Sequence, residues 1–151
     1  MPSKTNPQTK PLLDRVKDGE ILISDGATGT FLQQYGLEPG GCPEEFNSSH
    51  PEIVQQMAGA YFSSGSDMVL TNSFGGSTFM QKKYGYGNRV REFNTLAAEH
   101  AKRMASNNQY VAGSIGPTGE FLEPLGNVSK ETMYSAFSEQ VVSLAMGGAD
   151  A

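Results

Sequence analysis

The chain has 151 residues, 37 % of them hydrophobic and 18 % charged, with a formal charge of −5. This is about one domain of mildly acidic globular sequence, which excludes a disordered chain and offers no basic face for nucleic acid or a membrane surface. No apolar run approaches the roughly 18 residues of a membrane span, and the single cysteine, Cys42, excludes an internal disulfide framework and any Cys₂ or Cys₄ metal site within one copy.

The first ten residues, MPSKTNPQTK, lack the apolar stretch of a secretory signal and read as a loose tail. A reducing cytoplasm is the compartment this predicts. Leu12 to Lys17 reads as a short amphipathic helix closed by Asp18-Gly19. Tail and helix therefore occupy residues 1–18, and the main domain spans 19–151. Ile21-Leu22-Ile23-Ser24 is a short apolar run ending in Asp25-Gly26, the pattern of a buried parallel strand. Ala27 to Tyr35 begins a helix that Gly36 stops, and Leu37 to Ser49 reads as a long loop rich in Gly, Pro and Asn.

Ser49 is the candidate N-cap of the next helix, with Pro51 in its first turn. Ile53, Val54, Met57, Ala58, Tyr61 and Phe62 keep helical spacing until Gly65. Met68-Val69-Leu70 is a second short strand, followed by the polar, Gly-rich segment Thr71 to Ser77. A helix runs from about Val90 to Ala105, with Val90, Phe93, Leu96, Ala97, Ala101 and Met104 on its inner face and His100 turned outward. Tyr110-Val111-Ala112-Gly113 is the third strand. Ser129 caps a last helix whose inner face is predicted as Tyr134, Phe137, Val141, Leu144 and Ala145.

The strand starts recur at roughly 45-residue intervals, with a helix between each pair: the rhythm of an α/β fold with a parallel sheet. Ser64-Gly65-Ser66-Asp67 before the second strand is matched by Gly147-Gly148-Ala149-Asp150, which places the start of a fourth strand at Ala151. A complete (βα)₈ barrel needs about 250 residues. The expectation is therefore about three βα units, the N-terminal portion of a (βα)₈ TIM barrel, truncated before strand 4. Three parallel strands leave open edges, so closure requires further polypeptide or a partner chain.

Ligands bind at the C-terminal ends of the strands in such folds. Three segments lie there. Asp25 to Thr30 is a Gly-rich turn in which Asp25 suits a substrate ammonium, or simply caps the turn; it matches neither nucleotide-binding fingerprint. Thr71-Asn72-Ser73-Phe74 crowds hydroxyl and amide groups at one strand end, either to hydrogen-bond a small polar ligand or as loop chemistry. Gly116-Pro117-Thr118-Gly119-Glu120 makes a rigid path in which Glu120 is an acid–base or orienting group, or a solvated carboxylate. Neither histidine, nor Cys42, has partners at metal-ligand spacing.

In order, these strings resemble the homocysteine S-methyltransferase domain family. Ile21 to Thr30 (ILISDGATGT), Pro43 to Asn47 (PEEFN) and His50 to Val54 (HPEIV) resemble its start; Gly65 to Phe74 (GSDMVLTNSF) resembles its second strand. Gly113 to Glu120 (GSIGPTGE) and Glu123 to Gly126 (EPLG) resemble the third, nearest to the N-terminal module of cobalamin-dependent methionine synthases. The resemblance implies a barrel that moves a methyl group onto the homocysteine thiolate, giving methionine. It implies a substrate pocket formed by Asp25, Gly26, Thr71, Asn72, Ser73 and Phe74. It implies zinc in the complete domain, held by three cysteines that this sequence lacks, with cobalamin or methylfolate as a methyl source and a corrinoid protein as a partner. Catalytic residues are not assigned, and the chain alone is expected to be inactive. The alternative is a non-catalytic half-barrel module that binds a small molecule or scaffolds, and needs a partner chain. A flavodoxin-like, anion-binding α/β domain is a third reading.

Overall fold

The computed structural model describes residues 10–151, so the predicted tail, Lys10 apart, lies outside the described residues. The elements are α1 (Leu12–Lys17), α2 (Gly29–Gln33), a 3₁₀ turn (Pro43–Glu45), α3 (Phe46–Ser49), α4 (Pro51–Ser63), β1 (Met68–Leu70), α5 (Thr78–Lys83), α6 (Val90–Met104), β2 (Tyr110–Ala112) and α7 (Lys130–Met146). β1 and β2 are parallel, with Val69 opposite Val111. Ser24 bridges to Met68 in the same sense. The order Ser24–β1–β2 follows the chain, as in a barrel; a flavodoxin-like sheet would put the first strand between the other two.

The first strand is a correction to the sequence reading. Only Ser24 pairs, while Ile21 is 91 % and Ile23 60 % exposed. A parallel strand is buried when helices cover its faces and neighbours flank both edges. Here β1 takes one edge, through Asp67 and Met68 N–H to the Ile23 carbonyl and Asp25 N–H to the Met68 carbonyl.

Two apolar clusters hold the layers. Ala58, Phe62, Val69, Ala101 and Val111 join α4, the sheet and α6; Leu32, Phe46, Val54 and Met57 join α2, α3 and α4. Burying a side chain such as Phe62 contributes about 2–3 kcal/mol. The small residues Ala97, Ala98 and Ala101 let neighbouring elements approach α6 closely.

Local chemistry accounts for most boundaries. Ser77 and Ser129 cap α5 and α7 by accepting from Met80 and Thr132 N–H. The cap of α4 is His50, not Ser49, whose hydroxyl is engaged by Glu45 and by His50 Nδ1. The predicted loop from Leu37 to Ser49 contains the 3₁₀ turn and α3, because Phe46 and Asn47 are drawn into the interior. α5 was absent from the sequence reading. α7 buries Ala136, Gln140, Ser143 and Leu144 and leaves Tyr134 and Val141 exposed, so its predicted inner face is rotated. His100, read as exposed, is buried, with Nε2 2.8 Å from the Asn47 carbonyl and Nδ1 3.2 Å from Gln55 Nε2.

The sequence match around Asp67 and Asp150 is also a structural one. Asp67 N–H donates to the Ile23 carbonyl at 2.8 Å and its carboxylate accepts from Ile23 N–H at 2.9 Å. Asp150 repeats both bonds with Val111, at 2.8 and 2.9 Å. Both follow a glycine in the left-handed region, Gly65 at φ 106° and Gly148 at φ 94°. Gly113 N–H then donates to the Ala151 carbonyl at 2.7 Å, so Ala151 lies against β2 as Met68 lies against the first strand.

Candidate functional site

A cleft of about 380 Å³ opens at the C-terminal ends of Ser24 and β1. Its walls come from the turn Gly26 to Gly29, the segment Leu70 to Gly75, and Pro43, Glu44, Met80, Tyr84 and Ser114. Three of its walls are loops fixed by long-range side-chain bonds rather than by sheet pairing.

The segment from Thr71 to Gly76 is clamped most heavily. Asn47 Nδ2 donates to the Asn72 carbonyl at 2.8 Å and to the Phe93 carbonyl at 3.1 Å. Gln140 Nε2 reaches the Ser73 carbonyl at 2.8 Å, and Asn94 Nδ2 the Gly76 carbonyl at 2.8 Å. Gly75 is held at both ends of its backbone, its N–H by Glu44 Oε1 at 2.7 Å and its carbonyl by Gln81 Nε2 at 2.9 Å. Asn47, Gln81, Asn94 and Gln140 are fully buried. Gly76 is required here, since a Cβ would lie 2.8 Å from Gln140 Nε2 and would press on Asn94 Oδ1. Such amide clamps make a rigid wall before any ligand arrives.

The structure brings the predicted residues together but redirects their side chains. Thr71, Asn72, Ser73, Phe74 and Gly26 all border the cleft. The Thr71 and Ser73 hydroxyls are 2.6 Å apart; Ser73 donates to the Ser114 carbonyl and Thr71 accepts from Ser114 N–H. Asn72 Nδ2 donates to the Pro43 carbonyl and to Asn47 Oδ1. Their polar groups thus build the wall. Phe74 is 62 % exposed at the rim and packs against Gly116. Asp25, partly exposed and next to the lining residue Gly26, accepts from Leu70 N–H and the Ser24 hydroxyl at 3.0 Å each. Burial raises its pKa above the ordinary aspartate value.

Glu44 was missed. It is 2 % exposed yet borders the cleft. Its signal was the Pro43-Glu44-Glu45-Phe46-Asn47 string, but spacing alone does not say which glutamate turns inward. Glu120, in contrast, is a loop carboxylate paired with Lys83 at 3.1 Å.

No group of three or more His, Cys, Asp or Glu able to hold a metal exists among the described residues. Cys42 is buried, and burial, with the nearby Glu44 charge, pushes its thiol up to about 11. That is the opposite of a metal-binding or nucleophilic thiolate.

The sequence profile of the homocysteine S-methyltransferase family matches residues 22–151. The chain belongs to this family. Relatives include the methionine synthases of Mycobacterium leprae (strain TN), 32 % identical over 145 residues, and of Mycobacterium tuberculosis (strain ATCC 25618 / H37Rv), 33 % identical over 154. The matches cover 87 % and 93 % of this chain but only 12 % and 13 % of those proteins. Two crystal structures of the homocysteine methyltransferase MmuM from Escherichia coli, oxidized and metallated, align with TM-scores of 0.75 at 21 % and 20 % identity. Each alignment covers 91 % of this chain and about half of the solved one, 53 % and 54 %. This homocysteine S-methyltransferase family member therefore has an α/β fold shared with about half of a solved family structure.

Proposed function

We propose that the cleft binds homocysteine, and that residues 19–151 are the N-terminal part of a zinc-dependent homocysteine S-methyltransferase barrel. The observation that carries this reading is the rigid cleft at the strand ends, on the segments that resemble the family's pocket. In the reaction a bond forms between the homocysteine sulfur and the methyl carbon, the donor's bond to that carbon breaks, and methionine results. This chain's share is to bind and orient the amino acid: Gly26 and the Thr71–Phe74 wall shape its seat, and Asp25 holds the wall to the strand behind it.

The zinc that the resemblance implies does not fit the residues here, because the only cysteine is buried with a raised pKa and no donor cluster surrounds it among the described residues. No step is assigned to a metal on this chain. The same observation favours a second reading for the chain taken alone, a non-catalytic half-barrel that binds a small molecule and needs a partner chain. Cobalamin or methylfolate as methyl source, a corrinoid protein as partner and a cytoplasmic location are further proposals resting on the likeness to methionine synthases. No helix among the described residues is long and apolar enough to cross a membrane.

Calorimetry with homocysteine and elemental analysis of the dialysed chain test the reading together. The expected result is saturable homocysteine binding, zinc well below one equivalent and no turnover. Absence of binding refutes the homocysteine cleft; stoichiometric zinc with turnover refutes the assignment of metal chemistry elsewhere.

A further inference from the structure

We propose that Tyr61 is the positioning residue of the glycine turn at the cleft, holding Gly26 to Thr28 in the shape that receives the amino acid. This rests on the homocysteine reading and goes further, since it gives a role in binding to a side chain that does not line the cleft.

By sequence Tyr61 is one apolar position of α4. In the structure its ring packs against both apolar clusters at once, which fixes the phenol in place. Its hydroxyl donates to the Ala27 carbonyl at 2.7 Å. Gly26 rests against the same phenol: a Cβ there would stand 3.3 Å from the hydroxyl oxygen and 3.5 Å from the ring. One side chain therefore meets two consecutive residues of the turn, the first by contact and the second by a hydrogen bond.

Few other bonds hold this turn. Gly26, Ala27, Thr28 and Gly29 all border the cleft, and Gly26 and Ala27 are exposed. Asp25 before them is bonded to Met68 and Leu70, and Leu32 after them is fully buried. Between these anchors, among the described residues, the Tyr61 bond is the only hydrogen bond from residues 26–31 to another element. The wall from Thr71 to Gly76, in contrast, is fixed by four buried amide side chains. The cleft thus pairs a firmly clamped wall with one whose order depends on a single phenol. A turn that samples other shapes lowers the apparent affinity by the fraction of time it is competent. Water can take the place of the hydroxyl at the exposed Ala27 carbonyl, so losing the bond affects binding more than folding.

The test is calorimetric homocysteine binding by the unmodified chain, Y61F, G26A and the double variant, with ¹⁵N relaxation of the amides of residues 26–29 in the ligand-free unmodified chain and Y61F. Y61F keeps the ring and removes only the hydroxyl. It is expected to bind homocysteine about fivefold more weakly, with a melting temperature within about 4 °C of the unmodified chain. Order parameters at residues 26–29 are expected to fall from about 0.85 toward about 0.6, with those of α4 unchanged. Gly26 has no positive φ, so G26A adds only a methyl group, placed against the hydroxyl. Both substitutions then disturb the same bond, and G26A is expected to cost at least about threefold more affinity in the unmodified background than in Y61F. Unchanged affinity in Y61F overturns the proposal. So do independent losses in the double variant, which would make Gly26 a ligand contact only, and a weaker Y61F whose order parameters are unaltered. The Y61F arm decides the matter even where G26A fails to fold. Failure of the unmodified chain to bind homocysteine refutes the homocysteine cleft itself, a distinct outcome, and the relaxation data then decide whether the hydroxyl holds the turn.

Discussion

Asn47 is the residue whose loss the structure prices most clearly. It is fully buried and joins α3, the cleft wall and α6 through three bonds. In Asn47→Ala the Phe93 carbonyl, inside α6, keeps its helical partner. Asn72 Nδ2 keeps the Pro43 carbonyl at 2.7 Å. The Asn72 carbonyl, however, loses the Asn47 amide and stays buried. An orphaned acceptor costs about 1–3 kcal/mol and the weakened Asn72 amide adds about 1 kcal/mol, so the expected loss is about 3 kcal/mol. For a chain of this size that lowers the melting temperature by about 6–12 °C. Urea denaturation followed by circular dichroism measures it, with the surface change Glu52→Ala as a control expected within about 0.5 kcal/mol. A loss below about 1 kcal/mol for Asn47→Ala would show that water replaces the amide, and that the wall is not held by this side chain.

Acid should weaken the fold through specific carboxylates. The Ile23 N–H and the Arg15 guanidinium hold Asp67 below the usual range, Lys10 and Arg15 do so for Glu20, and Arg89 for Glu92. Groups with lowered folded pKa values contribute stability above the unfolded value that is lost as pH falls through the folded one, so the urea midpoint is expected to fall below about pH 4. Asp25, raised by burial, has the opposite sign and favours the fold as it protonates. In Asp67→Asn the midpoint at pH 7 drops and the acid-induced fall becomes shallower; an unchanged acid limb would remove Asp67 from the account. The Cys42 thiol, pushed up to about 11, is expected to resist alkylation at pH 8 in the native chain and to react readily in urea. Equal rates in both states would contradict its burial.

Much of the architecture was legible because hydrophobic period and caps agree. α1, α4 and α6 stand close to their predicted bounds, and Ser129 caps α7 as expected. The interior of α7 was misread because periodicity sends apolar residues inward, whereas this interface needs Gln140 to satisfy the Ser73 carbonyl. His100 was misread through its charged neighbours, although it shares the buried side of α6 with Phe93 and Ala97. At the cleft the expected segments meet, but the hydrogen-bond partners of their side chains were not legible. Sequence shows that Thr71, Asn72 and Ser73 are polar at a strand end; it does not show that Ser114, Pro43 and Asn47 already engage the Thr71 and Ser73 hydroxyls and the Asn72 amide nitrogen. α5 eluded the reading because its capping serine sits within a Gly- and Ser-rich stretch that reads as loop.

The Asp67 and Asp150 bonds tie a strand to the turn that follows a later helix. The turns after α4 and α7 each supply an aspartate latch for a strand laid down earlier, whereas the turn after α6 does not. Opening the latch at Asp150 frees Val111 N–H and Ala151 while Ile23 stays bound to Asp67. The pairings of Ile23 and of Val111 are therefore separate sites of local opening, each governed by one aspartate, with the clamped cleft wall between them.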